Sequence, residues 1–321
     1  MKQNNIFLML LKVFFFSSIL VATSAARAEL KVVTTIKPLH SLIANVMDGV
    51  GEPALIIEGS TSPHSFTLKP SHAKLLEEAD IIFWVGESIE TFMERPLESI
   101  VKNAEVVEFM EVESINKLKF REESIFEDHD DHDDHDDHDD HDDHSGHDDH
   151  GHAHGEFDAH IWLDPMNAKE MVHEIAHELS DLDPANKDKY EANAQATIQA
   201  LDQLVKDIEK EINKDAKFVV FHDAYQYFEE RFETRAAGAL TLNTDVLPGA
   251  KQIADIQDVI KDRGIKCIFS EPQFNPKIIT TIAEDMNIKT GVFDPLGANI
   301  DSNKDLYFKL IQNLGNELKG C

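Results

Sequence analysis

Basic residues are scarce in this sequence of 321 residues, in which Lys and Arg number 30 whereas Asp and Glu number 61. The formal net charge of −31 at pH 7 gives a surface that repels phosphate backbones and anionic lipid headgroups. We therefore expect no nucleic-acid partner. The sequence also lacks the glycine-rich phosphate-binding motifs and the GxSxG nucleophile motif. We therefore expect neither ATP hydrolysis by this chain nor a serine-hydrolase mechanism.

Long apolar runs are confined to the N-terminus. Lys2 is followed by an apolar run over residues 6–22, interrupted by Lys12, and then by Ala-Arg-Ala at 26–28. This order is typical of a secretory signal peptide with a small-residue cleavage site. An uncleaved membrane anchor is the alternative, although the uninterrupted part of the run covers only about half of a bilayer. The sequence predicts an exported protein whose mature chain begins at Glu29.

Cysteine is almost absent, since Cys267 and Cys321 are the only two. Both lie near the end of a chain predicted to be exported, and exported proteins fold under oxidising conditions. The pair predicts one disulfide that ties the C-terminus to a strand. A bond closing a loop of this length stabilises by about 4 kcal/mol in the chain-entropy model. Two unrelated thiols are the alternative.

Short β-branched and aromatic runs alternate with helical patterns in both halves of the sequence. The predicted strands are 30–36, 54–58, 80–85 and 105–109, followed by 217–221, 236–242, 265–269 and 288–293. Strands that alternate with helices indicate parallel sheets. The predicted fold class is therefore α/β, with two (β/α)4-like parallel-sheet domains.

One long helix is predicted between these domains. Residues 184–214 contain no glycine, no proline after the first position, and apolar residues every three or four positions. The stripe consists of Ala194, Ile198, Leu201, Val205, Ile208 and Ile212. About 29 helical residues make a rod of about 43 Å, which can span both domains and restrain their motion. A coiled-coil dimer helix is the alternative, but the stripe is short for one, and we expect a monomer.

The predicted organisation of the whole sequence has four parts. They are a signal peptide (1–28), an N-terminal α/β domain (29–183), the linker helix (184–214) and a C-terminal α/β domain (215–321).

A low-complexity segment, residues 128–154, repeats His-Asp-Asp and contains almost nothing apolar, so it cannot bury enough surface to fold. Its imidazoles and carboxylates suit weak binding of several zinc-like cations. The predicted auxiliary ligands are His129, His132, His135, His138, His141, His144, His147, His150, His152 and His154. A solvated acidic spacer is one alternative, and metal buffering by this segment alone is another.

Four further residues are candidates for a tight metal site. His64, His222 and Asp294 follow predicted strands, and His160 lies among apolar residues after the His-rich segment. Ligands of open α/β sheets bind outside the carboxyl ends of the strands, so these side chains are predicted to meet in the cleft between the domains. Three imidazoles and a carboxylate suit tetrahedral Zn²⁺ and disfavour Ca²⁺ or Mg²⁺. Glu271, also at a strand end, is predicted to orient one of the imidazoles.

Residues 173–177 match the HExxH motif of zinc metalloproteases. The apolar stripe of the same helix contains Met171, Ile175, Leu179 and Leu182. His173 and His177 lie about 200° and 240° around the helix from Met171, so they face away from the core. No third ligand follows at a suitable spacing, and a solvated helix face is favoured over a protease or an auxiliary surface metal site. We therefore expect no enzyme activity.

Several short motifs occur in order along the chain. They are Ser62-Pro63-His64, Lys69-Pro70-Ser71, Ala79-Asp80, His160-Ile161-Trp162-Leu163-Asp164-Pro165, Phe221-His222-Asp223-Ala224-Tyr225, Ser270-Glu271-Pro272-Gln273 and Phe293-Asp294-Pro295-Leu296. Together they resemble the periplasmic metal-binding proteins of ABC importers and, more narrowly, the ZnuA-type zinc-binding proteins. The resemblance extends over essentially the whole mature chain, including the linking helix, the His-rich insertion and the cysteine pair.

This resemblance implies a high-affinity periplasmic carrier that captures Zn²⁺ and delivers it to a permease in the inner membrane. By position, His64, His160 and His222 match the three histidines of the family, whereas its manganese binders have a carboxylate in place of His222. Some relatives use a Glu directly before the first histidine as fourth ligand, and here that residue is Pro63. Asp294 or a water molecule is therefore expected to complete the site.

Overall fold

The computed structural model of the protein describes residues 30–126, 156–242, 244 and 247–321. The predicted signal peptide (1–28) and the predicted His-rich loop (128–154) lie outside the described residues. Within the described ranges, no helix combines the length and the apolar character needed to cross a membrane.

The first half of the chain forms a four-stranded parallel sheet in the order β2-β1-β3-β4. Its strands are β1 (Val32–Thr34), β2 (Ala54–Leu55), β3 (Ile81–Trp84) and β4 (Glu105–Glu108). The two central strands, β1 and β3, are buried at every position, as expected where helices cover both faces of a parallel sheet.

The second half repeats this arrangement in the order β6-β5-β7-β8. Its strands are β5 (Phe218–His222), β6 (Ala239–Thr241), β7 (Cys267–Ser270) and β8 (Lys289–Val292). All eight strands overlap the predicted runs, and the predicted α/β fold class with two parallel sheets is confirmed. Because both sheets are parallel, the loops that follow their strands gather at one edge of each sheet.

Nine α-helices are described around the two sheets. They are α1 (Lys37–Val46), α2 (Pro70–Glu78), α3 (Glu94–Ser99), α4 (Pro165–Leu182), α5 (Lys187–Glu211), α6 (Gln226–Phe232), α7 (Ala250–Asp262), α8 (Lys277–Met286) and α9 (Leu306–Leu318).

The longest helix, α5, has 25 residues and lies inside the predicted range 184–214. It is about 37 Å long at 1.5 Å per residue. It packs against α1 and α4, which precede it in the chain, and against α9 near the C-terminus. Its buried face includes Tyr190, Leu201 and Ile208. One continuous helix thus contacts elements from both halves of the chain.

The predicted disulfide between Cys267 and Cys321 is present, with the two Cα atoms 5.7 Å apart. Cys267 begins β7, and Cys321 follows the end of α9. The bond therefore fastens the chain terminus to a central strand of the second sheet.

A second connection between the halves was not predicted. Residues 118–126, which we name the crossing segment, run from the first half onto the edge of the second sheet. Ile125 forms an antiparallel bridge with Gly238, and the amide of Ala239 donates to the carbonyl of Ser124 at 2.8 Å. A Cβ atom on Gly238 would lie 2.6 Å from that Ser124 oxygen, so this approach requires glycine. The crossing segment thus extends the second sheet beyond β6.

Glu90 is a buried carboxyl group in the first half, with 0% of its surface exposed. Its Oε2 atom accepts hydrogen bonds from the amides of Val85 (2.7 Å) and Gly86 (3.3 Å). Burial raises the pKa of Glu90 to about 7. Because the pKa in the folded protein lies above the value in the unfolded chain, folding favours the protonated carboxyl group, and this stabilisation is lost as pH rises through about 7.

Glu90→Gln is therefore expected to increase the free energy of unfolding at pH 8, by up to about 3 kcal/mol, since each unit of pKa corresponds to about 1.4 kcal/mol. The gain at pH 5 should be much smaller, because the wild-type carboxyl group is then mostly protonated. Urea unfolding at the two pH values measures the difference, with the exposed Glu98→Gln as control. An equal effect of Glu90→Gln at both pH values would contradict the prediction.

Candidate metal centre

His64 lies in a short 3-10 turn, Pro63–Ser65, in the loop after β2. Pro63 occupies the first position of this turn, where its fixed φ is favourable and no backbone donor is required. The Ser62 side chain accepts a hydrogen bond from the amide of His64 at 3.3 Å. The sequence Ser-Pro-His thus builds a local turn that holds a half-buried imidazole at the edge of the first sheet.

His160 immediately precedes the 3-10 turn Ile161–Leu163, which leads into α4. Asp158 lies two residues earlier in the chain. Its Oδ1 atom accepts a hydrogen bond from the His160 amide at 3.0 Å and lies 2.7 Å from the His160 Nδ1 atom. Both residues are buried, with exposed fractions of 5% for His160 and 1% for Asp158. Asp158 therefore fixes both the backbone and the ring of His160. This role of Asp158 was not predicted from the sequence.

His222 is the last residue of β5, and Glu271 directly follows the neighbouring parallel strand β7. This topology brings the two side chains together, with Glu271 Oε1 2.6 Å from His222 Nδ1. Both are buried, at 3% exposed each. The orienting role predicted for Glu271 fits this contact.

The three histidines form one cluster although they lie far apart in the sequence. One ring nitrogen from each of His64, His160 and His222 lies within 4.8 Å of the others. The ring centroids are 5.2 to 5.8 Å apart. Within the residues that the structure describes, no other cluster of histidine, cysteine or acidic side chains has this geometry.

The spacing of two of the nitrogens fits a tetrahedral ion such as zinc. The Nε2 atoms of His160 and His222 are 3.3 Å apart. Two nitrogens bound to one tetrahedral Zn²⁺ at about 2.0 to 2.1 Å lie about 3.3 to 3.4 Å apart. With each Nδ1 proton donated to Asp158 or Glu271, both Nε2 atoms would present lone pairs to the same point. Two lone pairs facing each other at this distance would be stabilised by a shared cation.

The space between the histidines is small, with a volume of about 10 Å³. Its walls include Ile89, Trp162, Phe274, Pro295 and Leu296. A cavity of this size holds about one water-sized sphere. It therefore accommodates a single ion and excludes an organic molecule. A larger cavity of about 950 Å³ lies between the crossing segment and α6, lined by none of the three histidines.

Asp294, the predicted fourth ligand, is not brought into the cluster. Its carboxylate accepts hydrogen bonds from the amides of Leu296 (3.2 Å) and Ala298 (2.6 Å) and from the side chain of Gln273 (3.0 Å). Both carboxylate oxygens therefore accept hydrogen bonds from amides of the turn that follows β8. The cluster thus consists of three imidazoles, and Asp294 shapes the adjacent loop.

The histidines of the HExxH motif lie elsewhere. His173 and His177 are exposed on α4, whereas Met171 and Ile175 of the same helix are buried. The predicted orientation of this helix face is correct.

The carboxylate contacts of the cluster give a direct prediction. Asp158→Asn and Glu271→Gln are each expected to lower zinc affinity by about 10- to 100-fold, because loss of such a partner leaves the imidazole poorly oriented and less basic. Calorimetric titration with zinc measures the change. Asp181→Asn is the matched control, since Asp181 lies 3.7 Å from His177 in an exposed carboxylate–imidazole pair. Unchanged affinity in both site variants would contradict the prediction.

Comparison with known proteins places the chain in a family. The family model described as the periplasmic component A of the zinc-uptake complex matches residues 32–321. The high-affinity zinc uptake system protein ZnuA of Brucella abortus is 49% identical over 303 residues, covering 90% of this chain and 91% of the relative. The protein of the same name from Yersinia pestis is 32% identical over 307 residues, covering 95% of each chain.

Solved structures share the fold. A crystal structure of ZnuA has a TM-score of 0.71 at 22% identity, covering 90% of this chain and 98% of that one. The laminin-binding protein of Streptococcus agalactiae has a TM-score of 0.69 at 24% identity, covering 90% and 99%. With the family model matching residues 32–321 and relatives at 49% and 32% identity over at least 90% of the chain, the chain belongs to the ZnuA family of periplasmic zinc-uptake components.

Proposed function

We propose that this protein is the high-affinity zinc-binding component of an ABC-type importer, which captures Zn²⁺ in the periplasm and delivers it to the permease in the inner membrane. The observation that carries the proposal is the pair of Nε2 atoms 3.3 Å apart, each on a ring held from behind by a buried carboxylate. His64, His160 and His222 are the proposed ligands. Membership of the zinc-uptake family supports zinc as the cargo.

The fourth position is proposed to hold a water molecule, because the Asp294 carboxylate is engaged by its own loop. An open position on zinc can support hydrolysis. Here the cavity of about 10 Å³ has no room for an organic substrate beside the ion. We therefore propose that the protein is a carrier and not an enzyme. A crystal of the zinc-loaded protein, with anomalous scattering at the zinc edge, would identify the fourth ligand.

We propose that the signal peptide, the two domains and the His-rich segment also serve zinc capture and delivery. A cleaved signal peptide (1–28) would export the chain, and the mature protein would act as a monomer with an N-terminal domain (29–183), a linker helix (184–214) and a C-terminal domain (215–321). The histidines of residues 128–154 would bind additional Zn²⁺ weakly and assist capture, sensing or transfer.

Zinc titration by calorimetry tests the proposal against metal buffering by the His-rich segment alone. A variant lacking residues 128–154 should keep one tight site, and His64→Ala in the same variant should abolish it. If the deletion itself removes all tight binding, the segment is the binding element and the proposal fails.

Zinc affinity is expected to fall as pH drops below about 6.5, the ordinary pKa of imidazole, because a protonated ring cannot bind the metal. Competition titrations at pH 5.5 and 7.5 measure the change, which should be large because three rings are involved. The same affinity at both pH values would argue against three histidine ligands.

A further inference from the structure

Lys37, at the start of α1, is a buried lysine that does not belong to the histidine cluster. Only 5% of its surface is exposed. Its Nζ atom donates hydrogen bonds to the backbone carbonyls of Gly297 (2.6 Å), Ala298 (3.1 Å) and Ile300 (2.6 Å). An ammonium group has three N–H donors, and three carbonyl oxygens accept from this one.

The carbonyls belong to residues 294–300, which we name the wall loop. Asp294 closes its turn by accepting from the amides of Leu296 and Ala298, and Gly297 adopts a φ of +66°, which favours glycine. Pro295 and Leu296 of this loop form part of the wall of the cavity between the histidines. Lys37 therefore holds a wall of the metal centre from a helix 260 residues away in the sequence.

The cavity explains why this contact matters for the ion. Its volume is about 10 Å³, so an ion inside it lies directly against the walls, which include Pro295 and Leu296. The indole of Trp162 also holds the wall loop, by donating to the Pro295 carbonyl at 2.8 Å. Lys37 makes three such bonds, and each is strengthened by its charge.

We infer that Lys37 is a positioning residue of the metal centre, which holds the wall loop against the three histidines and thereby slows the release of bound zinc. Lys37 can act in this way only if the protein carries zinc as proposed above. Its contribution is to the residence time of the ion, because the ammonium group lies behind the wall loop and is not itself a ligand.

The test measures zinc release from the full, zinc-loaded chain after mixing with excess chelator. Lys37→Met is expected to release zinc at least tenfold faster than the wild type. Backbone amides of the wall loop should also exchange hydrogen faster in the zinc-loaded variant. Lys304→Met is the matched control, since Lys304 is an exposed lysine that pairs with Asp48 across the same contact between α1 and the C-terminal region. Its release rate should change less than twofold.

The outcomes separate the alternatives. A purely structural lysine would lower the melting temperature of the metal-free protein and leave the release rate unchanged, which would overturn the inference. Equal acceleration in Lys304→Met would also overturn it. If Lys37→Met does not fold, Lys37→Gln is judged by the same criterion, and failure of both to fold would assign the lysine to folding instead. If the wild type itself binds no zinc tightly, the proposed function fails as well.

Discussion

Replacing His64 with alanine is expected to lower the affinity for Zn²⁺ by more than a hundredfold. The variant loses one of the three proposed imidazole ligands. Loss of a residue that only orients a ligand typically lowers metal affinity by about 10- to 100-fold, and loss of the ligand itself should lower it further. A hundredfold loss corresponds to about 2.7 kcal/mol of binding free energy. His64 is the best choice of the three, because it is half-buried, whereas His160 and His222 are each buried and hydrogen-bonded to a buried carboxylate. Competition with a chelator of known affinity measures the change.

His173→Ala is the matched control for this experiment. His173 is exposed on α4 and does not belong to the cluster. Its removal should leave the tight site intact. A similar loss of affinity in both variants would mean that the three histidines found together in the structure are not the zinc ligands.

Removing the disulfide is expected to have the largest effect on stability. Cys321→Ser opens a covalent loop with a sequence separation of 54 residues. In the chain-entropy model this loss costs about 4 kcal/mol of unfolding free energy. Cys321 is preferable to Cys267, which is 2% exposed and packs in the core. Urea unfolding of the oxidised wild type and the variant measures the difference.

The reduced wild type provides the internal control for the disulfide. It should unfold at the same urea concentration as Cys321→Ser, because both lack only the covalent link. If Cys321→Ser unfolds at the same urea concentration as the oxidised wild type, the disulfide does not stabilise the chain and the prediction is wrong.

Much of this architecture could be predicted from residue patterns. Short β-branched runs such as residues 80–85 and 265–269 become central buried strands, since only apolar side chains suit a sheet covered on both faces. The rule that ligands lie beyond the carboxyl ends of strands locates His64 and His222 correctly at the sheet edges. Asp294 also satisfies that rule and still lies outside the cluster. Asp294 differs from the histidines because its carboxylate accepts hydrogen bonds from the amides of its own turn. No sequence pattern specifies where those amides point.

Three other features were not predicted, each for a different reason. Asp158 stands two residues before His160, close enough to reach its Nδ1 atom, so the spacing itself was an available signal. The crossing segment has no strand pattern, because its pairing with the second sheet rests on a single bridge between Ile125 and Gly238. Such an isolated pairing depends on tertiary packing and leaves no periodicity to read. Helix α9 was not predicted either, although Leu306, Leu310, Leu314 and Leu318 form an apolar stripe at helical spacing.

The imidazoles of the cluster come from both sides of α5, with His64 and His160 before this helix and His222 after it. Under the proposed function, zinc bound by these imidazoles would also link the two halves of the chain. By thermodynamic reciprocity, a membrane partner that prefers the parted halves weakens zinc binding by the same factor by which zinc weakens docking of that partner. Under the proposed function, release of zinc would then need no dedicated trigger in this chain, because a preference of the partner for the separated halves would be sufficient.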